Sequence, residues 1–219
     1  MDVFITGGTG YIGRRLAETL VARGHRVRVL TRPGSRSRVT TGAEAVVGNA
    51  LDATSYVAAL RAGDTLVHLV GTPHPSPAKA AEFQRVDRPS IEAAVEAGRQ
   101  AQIAHLIYVS VAHPAPVLKA YIEVRMAGER AIASAGLTAT VLRPWYVLGP
   151  GHWWPGVLLP LYALLGAIPA TREGAQRLGL VTIDQMLNAL VLAVEHPPAQ
   201  GQVRIMSVLD IRRSQPLPR

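Results

Sequence analysis

The residues of this 219-residue chain best suited to chemistry stand at its start. In the opening MDVFITGGTGYIG, Gly7, Gly8, Gly10 and Gly13 follow a short apolar run of strand character. Glycine weakens strands and helices alike, so a cluster this dense needs a reason other than folding. A strand, a glycine turn and a helix supply that reason. Gly7 permits a tight turn, Gly10 lets a phosphate approach the backbone, and Gly13 lets the helix pack close to the strand. Tyr11, Ile12 and Gly13 open the helix, whose free N–H groups and positive dipole end suit a pyrophosphate. A glycine turn without a ligand is the alternative, and placement in the first strand–turn–helix unit favours the phosphate. The second strand adds a further signal. A site that prefers NAD closes this strand with Asp or Glu on the ribose 2′-hydroxyl. Here RVRVLTR closes on Thr31 and Arg32, with Arg36 and Arg38 following and no carboxylate present. Arg32 can set a guanidinium fork on a 2′-phosphate. NADP(H) is therefore expected over NAD(H), the alternative being ordinary surface arginines.

These residues need a frame. Strand-length apolar runs alternate with helix-period segments along the chain, the signature of a parallel sheet covered on both faces. Strands are expected at 3–6, 26–31, 45–47, 65–70, 105–111 and 138–143, with a late one at 203–207. Helices are expected at 11–23, 55–61, 89–100, 117–135 and 183–196. Gly24 and Gly136 sit where glycines end helices. The fold class is α/β: a doubly wound, Rossmann-type parallel sheet with a small C-terminal cap. Residues 1–151 form the dinucleotide-binding core, and 152–219 the cap, the last core helix and a loosely held tail from Ile211, all in one structural domain.

Composition narrows the classes. A hydrophobic content of 48% excludes a disordered chain, and the absence of cysteine excludes disulfides and thiolate metal sites. The seven histidines show no ligand spacing, so no metal is expected. The net charge of +8 comes from scattered arginines without basic runs or interleaved aromatics, which argues against a nucleic-acid partner. No signal peptide is read at the start, and the cytoplasm is the expected location.

The wording TGGTGYIG resembles the cofactor loop TGxxGxxG of the short-chain dehydrogenase/reductase superfamily. GNALD (48–52) is similar to the segment after the third strand that flanks adenine there, and points to Asn49 and Ala50. LVHLVGTP (66–73) resembles the fourth strand and its turn beside the nicotinamide ribose, which points to Val70, Gly71 and Thr72. HLIYVSV (105–111) resembles the fifth strand, and LRPWYVLGPG (142–151) the RPxxVxGPG signature of extended and atypical members, with Pro144 and Val147. The resemblance adds Arg14 as a second NADP contact. It also implies catalysis by a Tyr-xxx-Lys pair aided by a serine or threonine. The matching stretch KAYIEVRMAGERAI offers Tyr121, but Arg125 stands in the lysine position, four residues on and on the same helix face. Arginine keeps the charge that favours a phenolate and holds a ribose, but cannot relay a proton. Ser110 is the nearest hydroxyl, and Asp87 stands near a position where extended members often carry Asn. Tyr121 as a purely structural helix residue is the alternative.

After this core, WWPGVLLPLYALLGAIPA (153–170) runs eighteen residues without a charge. Its prolines and glycines argue against a membrane span. It reads as a lid over the substrate site or as a buried or dimer-interface helix, with membrane-surface contact third. The resemblance implies an NADPH-dependent oxidoreductase or epimerase for an apolar carbonyl-type small molecule, in a monomer or homodimer. A protein that holds NADPH as a sensor or structural subunit, as NmrA-type members do, is the other class.

Overall fold

The computed structural model describes residues 1–151, 174 and 177–215. Seven parallel strands form the central sheet in the order β3-β2-β1-β4-β5-β6-β9. They are β1 (Asp2–Thr6), β2 (Arg26–Thr31), β3 (Glu44–Val47), β4 (Thr65–His68), β5 (His105–Val109), β6 (Ala139–Leu142) and β9 (Val203–Met206). Phe4, Ile5, Leu66 and Val67 are fully buried, as strands covered on both faces require. β7 (Tyr146–Leu148) and β8 (Leu180–Thr182) pair in a separate parallel ribbon that the sequence reading missed. Three residues each are too short for a periodicity signal.

The helices divide between the two faces. α1 (Tyr11–Ala22), α5 (Ile183–Glu195) and α6 (Val208–Arg213) cover one, burying Leu16, Met186 and Ile211 against Ile5 and Val29. α3 (Arg88–Gln100) and α4 (Lys119–Ser134) cover the other, where Ile91 and Ile132 meet Phe4 and Leu106. A short turn, α2 (Ala80–Glu82), runs into a π-helical stretch at Phe83–Asp87 and then into α3. π-Bulges of this kind recur at functional sites. No helix among the described residues is long and apolar enough to cross a membrane, and the segment 153–170 lies outside the described residues.

Three expectations are corrected. The helix at 55–61 is instead two 3₁₀ turns, Ala53–Ser55 and Val57–Ala59. Asp52 caps the first through Thr54, and Ser55 Oγ bonds back to Asn49, so local side chains replace helical hydrogen bonds. The strands at 65–70 and 105–111 stop at His68 and Val109, because the following residues turn into the cleft described below. The tail is held to Ser214: a capping box of Ser207 and Asp210 starts α6, and Ile211 is fully buried.

Two buried histidines sit in this frame. Thr6 Oγ1 lies 2.9 Å from His68 Nδ1 and Ser90 Oγ 3.3 Å from its Nε2, while His105 Nε2 meets Thr140 Oγ1 at 2.9 Å. Burial, with Arg125 adding to it, pushes His68 down to about 3. Burial and Arg204 push His105 down to about 4. Both values lie below that of an unfolded histidine, so the unfolded chain takes up protons first as the pH falls. Folding stability is expected to be whole above pH 6.5 and to decline towards pH 4. Urea titrations across that window test this, and a flat profile would contradict it.

Candidate active site

The sheet order places β1 beside β4, and chain connections leave in opposite directions there. In open α/β sheets this is where a crevice forms at the carboxyl ends of the strands. A cleft of about 450 Å³ occupies that point. The glycine loop forms one wall. Gly7 has φ +76°, and a Cβ there would lie 2.7 Å from the Leu69 carbonyl carbon. At Gly13 a Cβ would lie 2.3 Å from the Gly7 oxygen, so only glycine lets α1 approach β1 this closely. Gly10 is the N-cap of α1 and no side chain caps the helix. The first N–H groups of α1 therefore open towards the cleft, and the loop fits a dinucleotide pyrophosphate.

Most of the expected site residues meet here. Gly7, Gly10, Tyr11, Ile12 and Gly13 line the cleft with Val70, Gly71, Thr72, Ser110, Tyr121, Arg125, Pro144 and Val147. Arg14, Arg32, Asn49 and Ala50 stand outside that lining. Arg32 follows β2 and Asn49 and Ala50 follow β3, so these three continue the same edge of the sheet beyond β1. Arg14 and Arg32 are exposed, and Arg14 lies 3.9 Å from Glu18. Asn49 Oδ1 accepts from the Leu51 N–H at 3.1 Å, which shapes its own turn.

Tyr121 and Arg125 share one face of α4, as their spacing predicts. The Tyr121 ring lies 5.0 Å from that of Phe83, in the π-helical stretch, and 5.0 Å from the Arg125 guanidinium carbon. Arg125 is buried and committed. Its Nη2 donates to Asp87 Oδ1 at 2.6 Å and its Nη1 to the Val109 carbonyl at 3.1 Å. Burial pulls its pKa down, but Tyr121, Tyr108 and Asp87 outweigh burial and hold it above the ordinary arginine value. Asp87 Oδ2 also accepts from Thr72, at 3.1 Å from the N–H and 2.6 Å from Oγ1. One carboxylate thus ties α4 to the turn after β4. A Cβ on Gly71 would lie 2.2 Å from Arg125 Nη2, so the turn must be glycine for the ion pair to fit.

Ser110, itself buried, lines the cleft, and its hydroxyl donates to Glu129 Oε1 at 2.5 Å. Sequence reading missed Glu129, although it follows Tyr121 and Arg125 at the next helical turn. Its partner Arg143 directly follows β6 and no spacing rule announces it. The aromatic wall of Trp145 and Tyr146 was also missed, because aromatic pairs in strands usually denote packing. Leu118 and His74, both in the cleft wall, have φ of 58° and 50°. Left-handed backbone at non-glycine residues concentrates at such sites.

Fold and glycine loop define a dinucleotide-binding protein of the Rossmann type. A family model described as NAD(P)H-binding matches residues 7–149, and the chain belongs to that family. The chain is 29% identical over 214 residues to a ceramide reductase of Caulobacter vibrioides, covering 96% of this chain and 65% of that protein. It is also 29% identical over 171 residues to 4-hydroxy-2-methyl-3-oxo-4-farnesyl-3,4-dihydroquinoline-1-oxide ketoreductase of Stigmatella aurantiaca, covering 68% and 51%. The chain therefore spans half to two thirds of the length of these relatives. MoeE5 in complex with UDP-glucose and NAD shares the fold, with a TM-score of 0.69 at 22% identity over 96% of this chain and 79% of that one.

Proposed function

We propose that the chain is an NADPH-dependent oxidoreductase that reduces the carbonyl group of an apolar small molecule. The observation that carries this reading is Tyr121, a phenol in the wall of the cleft that also contains the glycine loop. The bound dinucleotide supplies hydride. Tyr121 Oη gives its proton to the substrate oxygen as the alcohol forms, and water restores that proton. Arg125 stands behind the ring as a fixed cation and passes no proton. The N–H groups of Tyr11, Ile12 and Gly13 hold the pyrophosphate. Val70, Gly71 and Thr72, with Pro144 and Val147, flank the nicotinamide half, while Asn49 and Ala50 flank adenine. Leu69, Val111, Leu118 and Trp145 give the cleft its apolar wall. The names of both relatives, a ceramide reductase and a ketoreductase of a farnesyl-bearing substrate, support reduction and an apolar substrate.

The test is NADPH oxidation against a panel of ketones, quinones and nucleotide sugars. Steady oxidation with at least one apolar ketone is expected. The second reading, a protein that holds NADPH as a sensor or structural subunit, is favoured by the commitment of Arg125 to Asp87 and Val109. NADPH bound tightly with no turnover across the panel would select it.

Cofactor choice turns on Arg32, with Arg14 as a second contact. NADPH is expected to bind more tightly than NADH, and Arg32→Ala to remove most of that difference. A charge-assisted contact of this kind is worth about 1.5–3 kcal/mol, or roughly ten- to a hundredfold in affinity. Equal affinities in calorimetric titration of the unmutated protein would refute the assignment.

A further inference from the structure

Ser110 stands just past the carboxyl end of β5, in the wall of the cleft. Its own proton is already used. A serine hydroxyl carries one proton and two lone pairs, and here the proton lies on the 2.5 Å bond to Glu129 Oε1. That carboxylate is fixed from the far side: Arg143 Nε reaches Oε1 at 3.1 Å and its Nη2 reaches Oε2 at 2.5 Å. His113 Nε2 stands 3.6 Å from Oε1. Arg143 has only donors to offer, so the carboxylate accepts from it and from the serine, and Ser110 cannot accept from Glu129. The Glu129 side chain is only 12% exposed, so water does not compete freely for the serine proton.

The direction of this bond sets what Ser110 offers the cleft. Its oxygen presents lone pairs there and no proton. A carbonyl or ether oxygen, itself only an acceptor, gains nothing from such a neighbour; a hydroxyl or N–H does. We propose that Glu129 orients Ser110 as a hydrogen-bond acceptor, and that the substrate is a carbonyl compound bearing a hydroxyl or N–H donor near its carbonyl group. This rests on the reductase reading of the same cleft. Tyr121 supplies the single proton that the substrate oxygen needs, while Ser110 recognises the neighbouring group. Glu129 acts through Ser110 and is a positioning residue.

The probes are an aliphatic α-hydroxyketone and a β-hydroxyketone, each compared with its own methyl ether. The ether keeps the polarity and the reactivity of the carbonyl but lacks the donor. At least one pair is expected to show a preference for the hydroxyketone of about tenfold or more in kcat/KM, because a site built to bond a hydroxyl is left unpaired by its analogue. Ser110→Ala should bring that ratio close to one. Glu129→Ala, which removes the acceptor and frees the serine proton, should turn the preference towards the ether, which Ser110→Ala does not do. Calorimetric titration of the alcohol products and their methyl ethers, with NADP+ present, reads the same preference without turnover. Preference in binding with no ketone reduced would retain the acceptor site and overturn the reductase reading. Ratios near one in both pairs, or a ratio that Ser110→Ala leaves unchanged, would overturn the acceptor site alone.

Discussion

Tyr121→Phe is expected to lower the rate of carbonyl reduction by about 10²–10⁴-fold, the usual contribution of a positioned acid or base. The substitution removes one oxygen and keeps the ring between Phe83 and the Arg125 guanidinium, so folding should be preserved. NADPH affinity should also persist, since the glycine loop joins β1 to α1 while Tyr121 lies on α4. The loss should therefore fall on kcat, with NADPH binding within about twofold of the unmutated protein. Single-turnover NADPH oxidation, followed beside a cofactor titration, separates the two. Turnover that survives the substitution would remove Tyr121 from the chemistry and return it to a structural role on α4.

The second large effect concerns stability. Asp87→Ala leaves the Arg125 guanidinium buried without its carboxylate, and Arg125→Met leaves the carboxylate without its cation. Breaking a buried ion pair from one side typically costs about 3–5 kcal/mol, because a charge is left uncompensated. Arg125 is 5% exposed and Asp87 1%, so water can do little to relieve either variant. The double variant should be much less than the sum, as both charges leave together. Urea unfolding of the four proteins measures the coupling. Additive losses would mean that the pair contributes nothing beyond the separate packing of its members. Asp87→Ala should also loosen the turn at Thr72, which donates two hydrogen bonds to the same carboxylate, and so weaken cofactor binding as well.

Much of this molecule was determined by its sequence alone. The glycine loop was legible because its requirements are local: a positive φ at Gly7 and no Cβ at Gly13 are met by one residue type at fixed spacing. The parallel sheet was legible because strands buried on both faces carry unbroken apolar runs, as at Val3, Phe4 and Ile5 in β1, Leu66 and Val67 in β4, and Leu106 and Ile107 in β5. The shared face of Tyr121 and Arg125 followed from the helical repeat. Where polar side chains compete with the backbone, as at Asp52 and Ser55, the apolar pattern predicted a helix and the chain formed two short turns.

What only the tertiary structure decided is where charge and protons go. Asp87, Thr72 and Arg125 belong to three different segments, and nothing in their spacing says that one carboxylate joins them. The same holds for Ser110, Glu129 and Arg143, which come from the end of β5, from α4 and from the end of β6. Sequence periodicity reports which face of an element a residue occupies; it says nothing of which residue from another element it meets. Hydrogen-bond direction is set by that meeting. Arg125 is expected as a ribose-holding cation and Ser110 as a catalytic hydroxyl; that the first donates to Asp87 and the second to Glu129 is visible only in the fold.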